Sequence, residues 1–166
     1  MIGNQNGARA YAASVELPIA FRRFAYRAAY RGLQLFWFVA RPQKSGVKCV
    51  LTHGDRVLLV RHTYGHRAWD LPGGSIKRHE LPLSAAKREM GEELSVQSAA
   101  WQPLGELHGT MDRRRDTVHC FHATLATPAI KIDRGELEAA QWFLRTQLPA
   151  RLGVYVVPIV SRWSTG

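Results

Sequence analysis

The sequence predicts an α+β fold with a mixed β-sheet held between helices, and three observations carry that expectation. Apolar periodicity changes along the chain in the order helix, strands, helix, strands, helix, which is not a regular βαβ repeat. The length of 166 residues gives room for one domain rather than two. Apolar residues make up 46% and charged residues 22%, enough for a real core. That composition excludes a disordered chain, a collagen-like chain and a disulfide-stapled miniprotein.

Residues 16–40 read as an amphipathic helix. Phe21, Phe24, Ala25, Ala28, Gly32 and Leu35 recur at helical spacing, with Arg22, Arg23, Arg27 and Arg31 mostly on the other side. Arg41-Pro42 ends it, because the residue before proline disfavours helix. From residue 46 the period becomes two. Val47, Cys49 and Leu51 form one strand, His53 to Arg56 a turn, and Val57 to His62 a second strand, so 46–62 is a hairpin. Pro82 to Leu94 is a helix with proline in its first turn, and its stripe of Leu83, Ala86, Met90 and Leu94 is expected to face the core. Strands are expected near 98–109, 117–126 and 138–144, and a last helix within 149–163. Cys49 and Cys120 lie far apart in apolar stretches and read as buried thiols of a reducing compartment.

The formal net charge is +10, from 18 Arg and 5 Lys against 13 acids. Such a balance suits anionic partners such as nucleotides, nucleic acid or an acidic membrane surface, and equally suits plain solubility. No run approaches the ~20 apolar residues of a membrane-spanning helix. The first residues lack the basic start of a secretory signal, although residues 1–31 with five Arg and one acid faintly resemble a transit peptide. A cytoplasmic location is the expectation.

The chemistry is concentrated between residues 73 and 96. Glu89, Glu92 and Glu93 are spaced i, i+3, i+4, so one helix face gathers three carboxylates, all expected to point outward. With Glu80 they are four of the thirteen acids of the chain. Clustered oxygen ligands are what Mg²⁺ or Mn²⁺ requires, while a solvated acidic face is the bland alternative. Pro72-Gly73-Gly74 before the helix lets the backbone turn sharply and approach a ligand.

Gly74, five residues, Glu80, seven residues and then Arg88-Glu89-Met90-Gly91-Glu92-Glu93-Leu94-Ser95-Val96 resembles the Nudix box, Gx5Ex7REUxEExGU with U aliphatic. One fixed position departs: Ser95 stands where the pattern has the glycine that serves as a left-handed helix cap. The resemblance divides the chain into a basic helical extension, 1–45, and a Nudix hydrolase domain, 46–166, of the α/β/α sandwich type. It implies hydrolysis of a nucleoside diphosphate linked to another moiety, with Mg²⁺ or Mn²⁺ as cofactor. By motif position, Glu89, Glu92 and Glu93 would hold metal together with Gly74, and Arg88 would orient carboxylates including Glu80. Gly73 and Glu80 would be structural. The water's proton would go to Glu89 or to a downstream acid, Glu136 or Glu138.

Arg61, Tyr64 and Trp69, with Lys77 and Arg78 in the box loop, are candidates for gripping a base or phosphate, and each also has a plain structural reading. Arg113-Arg114-Arg115 reads as a solvated hairpin tip. Subfamily hallmarks expected past the box for ADP-ribose, dinucleoside polyphosphate and NADH enzymes are missing. Nucleotide sugars and nucleoside di- or triphosphates remain by elimination. Two alternatives stay open: a non-catalytic nucleotide-sensing module on the same fold, and an RNA 5′-end pyrophosphohydrolase. The N-terminal helix is expected to pack on the domain or form a homodimer, with peripheral membrane contact as a third reading. Nucleic-acid binding is not expected from it, since it carries no known module.

Overall fold

The computed structural model describes residues 18–40, 44–97, 100–111 and 114–164. Helix α1 spans Ile19–Ala40, strands β1 and β2 span Lys44–His53 and Arg56–His62, and helix α2 spans Pro82–Leu94. Strands β3, β4 and β5 span Trp101–Met111, Arg114–Thr124 and Leu137–Leu144, and helix α3 spans Val156–Ser164. The strands form one sheet in the order β3-β4-β1-β2-β5. It is mixed, because β1 runs parallel to β4 while every other pair is antiparallel.

Alternation along β1 and β2 builds two cores from one sheet. Cys49, Leu51, Leu58 and Val60 face α2, packing with Ala86, Met90 and Leu94. Val50, Val57 and Leu59 face α3, packing with Val156, Ile159 and Val160. Both cysteines are free and buried. The result is the expected helix–sheet–helix sandwich.

Several expectations need correction. Leu83 is 37% exposed, and Ala85 takes its place in the core stripe. The last helix begins at Val156, within the expected span, and before it residues 151–153 run beside Trp69, with Trp69 N–H donating to the Arg151 carbonyl and Gly153 N–H to the Trp69 carbonyl. Helix α1 also turns the opposite face inward. Phe21 and Phe24 are 53% and 67% exposed, whereas Arg22, Arg23, Tyr26 and Tyr30 are half-buried. The reason lies on the domain, which offers acceptors rather than apolar surface. Arg22 pairs with Asp133 at 2.6 Å, Arg23 donates to the Arg134 carbonyl and Arg27 to the Thr63 carbonyl. The hairpin tip at 112–113 and residues 98–99, within the first strand expected after the box, lie outside the described residues.

Candidate active site

The site begins with a split in the sheet. β1 and β2 pair only next to their turn, through Thr52 with Val57 and His53 with Arg56. Beyond that they diverge, and residues 69–76 fill the gap. On one side Val47 N–H donates to the Gly74 carbonyl, Cys49 N–H to the Pro72 carbonyl and Ile76 N–H to the Ser45 carbonyl. On the other, Val60 and Asp70 exchange both backbone hydrogen bonds. The insertion demands glycine at residue 73, where φ is +150° and a Cβ would sit 2.1 Å from the Val47 carbonyl oxygen. At Gly74 a Cβ would fall 2.3 Å from the Glu89 carboxylate, so the absence of a side chain there lets Glu89 lie against the backbone.

Helix α2 delivers the acids to this loop. Proline is at its start, and its C-cap is Ser95, in the left-handed region at φ 57°. Ser95 N–H bonds to the Gly91 carbonyl and Val96 N–H to the Met90 carbonyl, closing the helix as a glycine cap would. Arg88 ties the outer acids together. Its Nε and Nη2 hold both oxygens of Glu80 at 2.8 and 2.9 Å, and Nη1 reaches Glu89 at 2.8 Å and Glu92 at 3.1 Å. Nη2 also donates to the Ser75 carbonyl. Held by Arg88 and by the Lys77 N–H, the Glu80 carboxyl drops to about 2. This bidentate grip is what engages Glu80.

The three box glutamates do not all point outward. Glu92 is exposed, Glu89 is mostly covered and Glu93 is only 1% exposed. Glu93 Oε2 accepts the Gly73 N–H at 3.2 Å, and Oε1 is buried with no hydrogen-bond donor among the described residues. Burial, then the nearby Glu136, pushes the Glu93 carboxyl well above the usual range, while Lys48 opposes the shift.

Glu136 reaches this spot through two anchors. Asp133 N–H bonds the Glu93 carbonyl at the end of α2, and Thr63 N–H bonds the Glu136 carbonyl at the end of β2. Its Oε1 accepts the Tyr64 hydroxyl at 2.9 Å. Burial raises the Glu136 carboxyl, and the Tyr64 hydrogen bond only partly offsets that. His62 completes the cluster: its ligand atom and those of Glu93 and Glu136 all lie within 4.8 Å of one another. Burial holds the His62 imidazole down at about 4, so it is neutral near pH 7.

A divalent cation fits this donor set. A buried carboxylate oxygen without a donor lacks a charge partner. Glu93 and Glu136 offer such an ion hard oxygens within 4.8 Å of each other and His62 adds a nitrogen, while Glu89 and Glu92 are ion-paired to Arg88.

A cavity of about 350 Å³ opens beside the carboxylates. Gly73, Gly74, Ser75, Lys48, Asp70, Tyr64 and Glu136 line one part, and Tyr26, Ala29, Tyr30 and Leu33 of α1 line another. Lys48 donates to Asp70 and to the Leu71 carbonyl, so its charge is already paired.

Of the residues singled out in the sequence, Gly73, Gly74, Glu80, Arg88, Glu89, Glu92, Glu93, Glu136 and Tyr64 converge here. Arg61 and Trp69 do not. Arg61 lies over the Trp69 ring at 5.0 Å and 3.1 Å from Glu138, and Trp69 packs edge-on against Phe143 with the α3-side core. Glu138 also pairs with Arg67, so it is committed away from the box. Lys77 and Arg78 are exposed on the loop before α2. The sequence gives no direct sign that His62 meets Glu93 and Glu136, or that Lys48, Asp70, Tyr26 and Tyr30 line the cavity. The tyrosines carried a signal, being spaced i, i+4 on the helix face opposite the phenylalanines.

A family model described as NUDIX domain matches residues 42–160. An ADP-ribose pyrophosphatase of Mycobacterium tuberculosis is 38% identical over 123 residues, covering 66% of this chain and 59% of that protein. An RNA pyrophosphohydrolase of Saccharophagus degradans is 35% identical over 72 residues, covering 43% of this chain and 42% of that protein. The chain thus spans less than two thirds of the length of these relatives. Among solved structures, a MutT NUDIX hydrolase from Burkholderia pseudomallei aligns with a TM-score of 0.68 at 20% identity, over 73% of this chain and 98% of that one. The NUDIX domain of Shewanella oneidensis NrtR, complexed with ADP ribose, aligns with a TM-score of 0.65 at 21% identity, over 75% and 88% of the two chains. At these identities the structural likeness speaks for the fold. The family model begins after α1.

Proposed function

The chain belongs to the NUDIX family, and on that premise we propose that it is a metal-dependent pyrophosphohydrolase acting on a nucleoside diphosphate linked to a second moiety. The observation that carries the reading is the donorless, buried Glu93 oxygen beside the Gly73–Gly74 loop, in a carboxylate whose ligand atom lies within 4.8 Å of those of Glu136 and His62. ADP-ribose is the first substrate to test, because it is named for a relative and for the ligand of a similar fold. Nucleotide sugars and nucleoside triphosphates come next.

Glu89, Glu92 and Glu93 would hold Mg²⁺ or Mn²⁺, which when bound neutralises pyrophosphate charge and lowers the pKa of its water. Arg88 is a positioning residue. Its fork fixes the carboxylates of Glu80, Glu89 and Glu92 relative to the loop before substrate arrives. Gly73 and Gly74 line the cavity, and their missing side chains let Val47 and Glu89 close against the loop. Glu136 lines the cavity and accepts the proton of the attacking water. The water oxygen bonds to one phosphorus as that phosphorus loses the bridging oxygen, which departs on the other phosphate. Tyr64 holds Glu136 in place through its hydroxyl.

The test is product release from ADP-ribose, nucleotide sugars, nucleoside triphosphates, dinucleoside polyphosphates and 5′-triphosphorylated RNA, each with Mg²⁺, Mn²⁺ or EDTA. Turnover that EDTA abolishes, and that Glu92→Gln abolishes in a folded protein, is the expected result. Full activity in a folded Glu93→Gln variant would sink the assignment.

A further inference from the structure

Helix α1 carries four arginines between residues 22 and 31, yet none of them lines the cavity. Arg22, Arg23 and Arg27 are spent on Asp133 and on the carbonyls of Arg134 and Thr63. The α1 side chains that do line it are Tyr26, Ala29, Tyr30 and Leu33, two aromatic and two uncharged. Tyr26 stacks at 6.1 Å and 21° from Tyr64, and Tyr30 lies 5.3 Å from the same ring. Tyr64 in turn holds Glu136. One continuous aromatic wall therefore runs from α1 to the carboxylate cluster. The single lysine in the lining, Lys48, is neutralised by Asp70.

We propose that α1 is part of the substrate site, and that its Tyr26–Tyr30 face, continued by Tyr64, takes the planar base of the nucleotide. The inference rests on the nucleotide-hydrolase reading of the same cavity. Phosphates need cations and open backbone, which the box side of the cavity supplies through its glycine loop and metal-type carboxylates. The α1 side puts no arginine into the lining, only two tyrosine rings with Ala29 and Leu33, and a flat aromatic group is what such rings bind. The volume of about 350 Å³ is at the small end for ligand pockets, room for one half of a nucleotide conjugate rather than all of it. The base, not the second moiety, is assigned here because it is the half that is aromatic.

The experiment compares binding of the four 5′-nucleoside monophosphates with binding of ribose 5-phosphate to the full chain by calorimetry. These ligands have no pyrophosphate to hydrolyse and differ only in the base. The wild type should bind at least one nucleotide on the order of 10-fold or more tighter than ribose 5-phosphate. Tyr26→Ala and Tyr30→Ala should each weaken that nucleotide by on the order of 10- to 100-fold and leave ribose 5-phosphate unchanged, and Tyr30→Phe should restore it. Leu33→Trp, which fills the cavity from α1 while keeping both tyrosines, should act like the alanine variants. Equal binding of nucleotide and ribose 5-phosphate by the wild type overturns the proposal. So does an alanine variant that loses both ligands alike, which marks a purely structural helix. Because the readout is binding, a chain that hydrolyses nothing yet shows the tyrosine-dependent preference refutes only the hydrolase reading. One that hydrolyses without the preference refutes only this inference.

Discussion

Glu93→Gln should stabilise the metal-free protein at alkaline pH, and the pH dependence of that gain can be worked out in advance. Glu93 is buried with one oxygen unpartnered and with Glu136 close by, and both features raise its carboxyl above the range it has in the unfolded chain. Below the unfolded value, ~4.3 for a glutamate, both states hold the proton and the residue adds no pH dependence. Between that value and the raised folded one, the native state holds a proton that the unfolded state has lost. Stability then falls with rising pH by about 1.4 kcal/mol per pH unit for this one group. Glutamine carries no such slope, and its carbonyl can still accept the Gly73 N–H. Urea unfolding of both proteins in EDTA, from pH 4 to pH 8, measures the difference directly. Glu136 titrates in both, so the difference curve reports Glu93 and its repulsion by Glu136. The two stabilities should converge near pH 4 and separate in favour of the variant as pH rises. Mn²⁺ at 100 times its Kd should then add about 2.7 kcal/mol to the wild type and little to the variant. A variant less stable than wild type at pH 8 in EDTA would refute the reasoning, since the buried carboxylate would then be satisfied without metal.

Arg88→Lys should lower turnover by on the order of 10- to 100-fold, the usual effect of losing a residue that orients metal ligands, because an ammonium cannot span Glu80, Glu89 and Glu92 as the guanidinium fork does; steady-state kinetics with the melting temperature recorded beside it checks this. Gly73→Ala and Gly74→Ala should differ in kind. The first meets the Val47 backbone at 2.1 Å and should lose at least ~1–3 kcal/mol of stability to backbone strain, whereas the second meets only the movable Glu89 carboxylate and should lose activity with a much smaller change in unfolding midpoint. Glu136→Gln should cut kcat by on the order of 10²–10⁴-fold, and steady-state kinetics with the melting temperature recorded beside it checks this.

How much of this was legible in the sequence depends on how local each signal was. Helix α2 was readable to its ends because proline at its start and a left-handed residue at its close are written into adjacent positions. The hairpin β1–β2 was readable for the same reason. The inward face of α1 was not. Its arginine–tyrosine and phenylalanine faces are both plausible burial surfaces, and the choice was made by Asp133 and the Arg134 carbonyl, each 111 residues away from its partner on the helix. The burial of Glu93 escaped notice likewise. Helical spacing correctly put it beside Glu89, but whether that edge meets solvent depends on the loop wedged between two diverging strands. The parallel pairing of β1 with β4 joins segments about 70 residues apart, beyond any local pattern.

The places where local rules are broken are not scattered. The non-glycine residues with positive φ among the described residues are Arg67, His79 and Ser95. His79 and Ser95 bracket α2, the helix that delivers the acids, and Arg67 lies in the loop between Tyr64 and the inserted segment. The sheet forgoes pairing between β1 and β2 only where residues 69–76 enter. The carboxylate buried without a donor for one of its oxygens lies against that same insertion. Each feature costs stability where an ordinary sequence would have avoided the cost. A fold that merely needed a core could replace Glu93 by leucine and close the strands. That the inserted loop, with the buried Glu93 against it, borders one small cavity is the expected mark of a site where charge must be held ready for a ligand, and absent from a sheet whose only task is packing. Helix α1 belongs to the same argument, for it covers this cavity with tyrosines while leaving Phe21 and Phe24 in solvent. A helix recruited only to shield apolar surface would have been turned the other way.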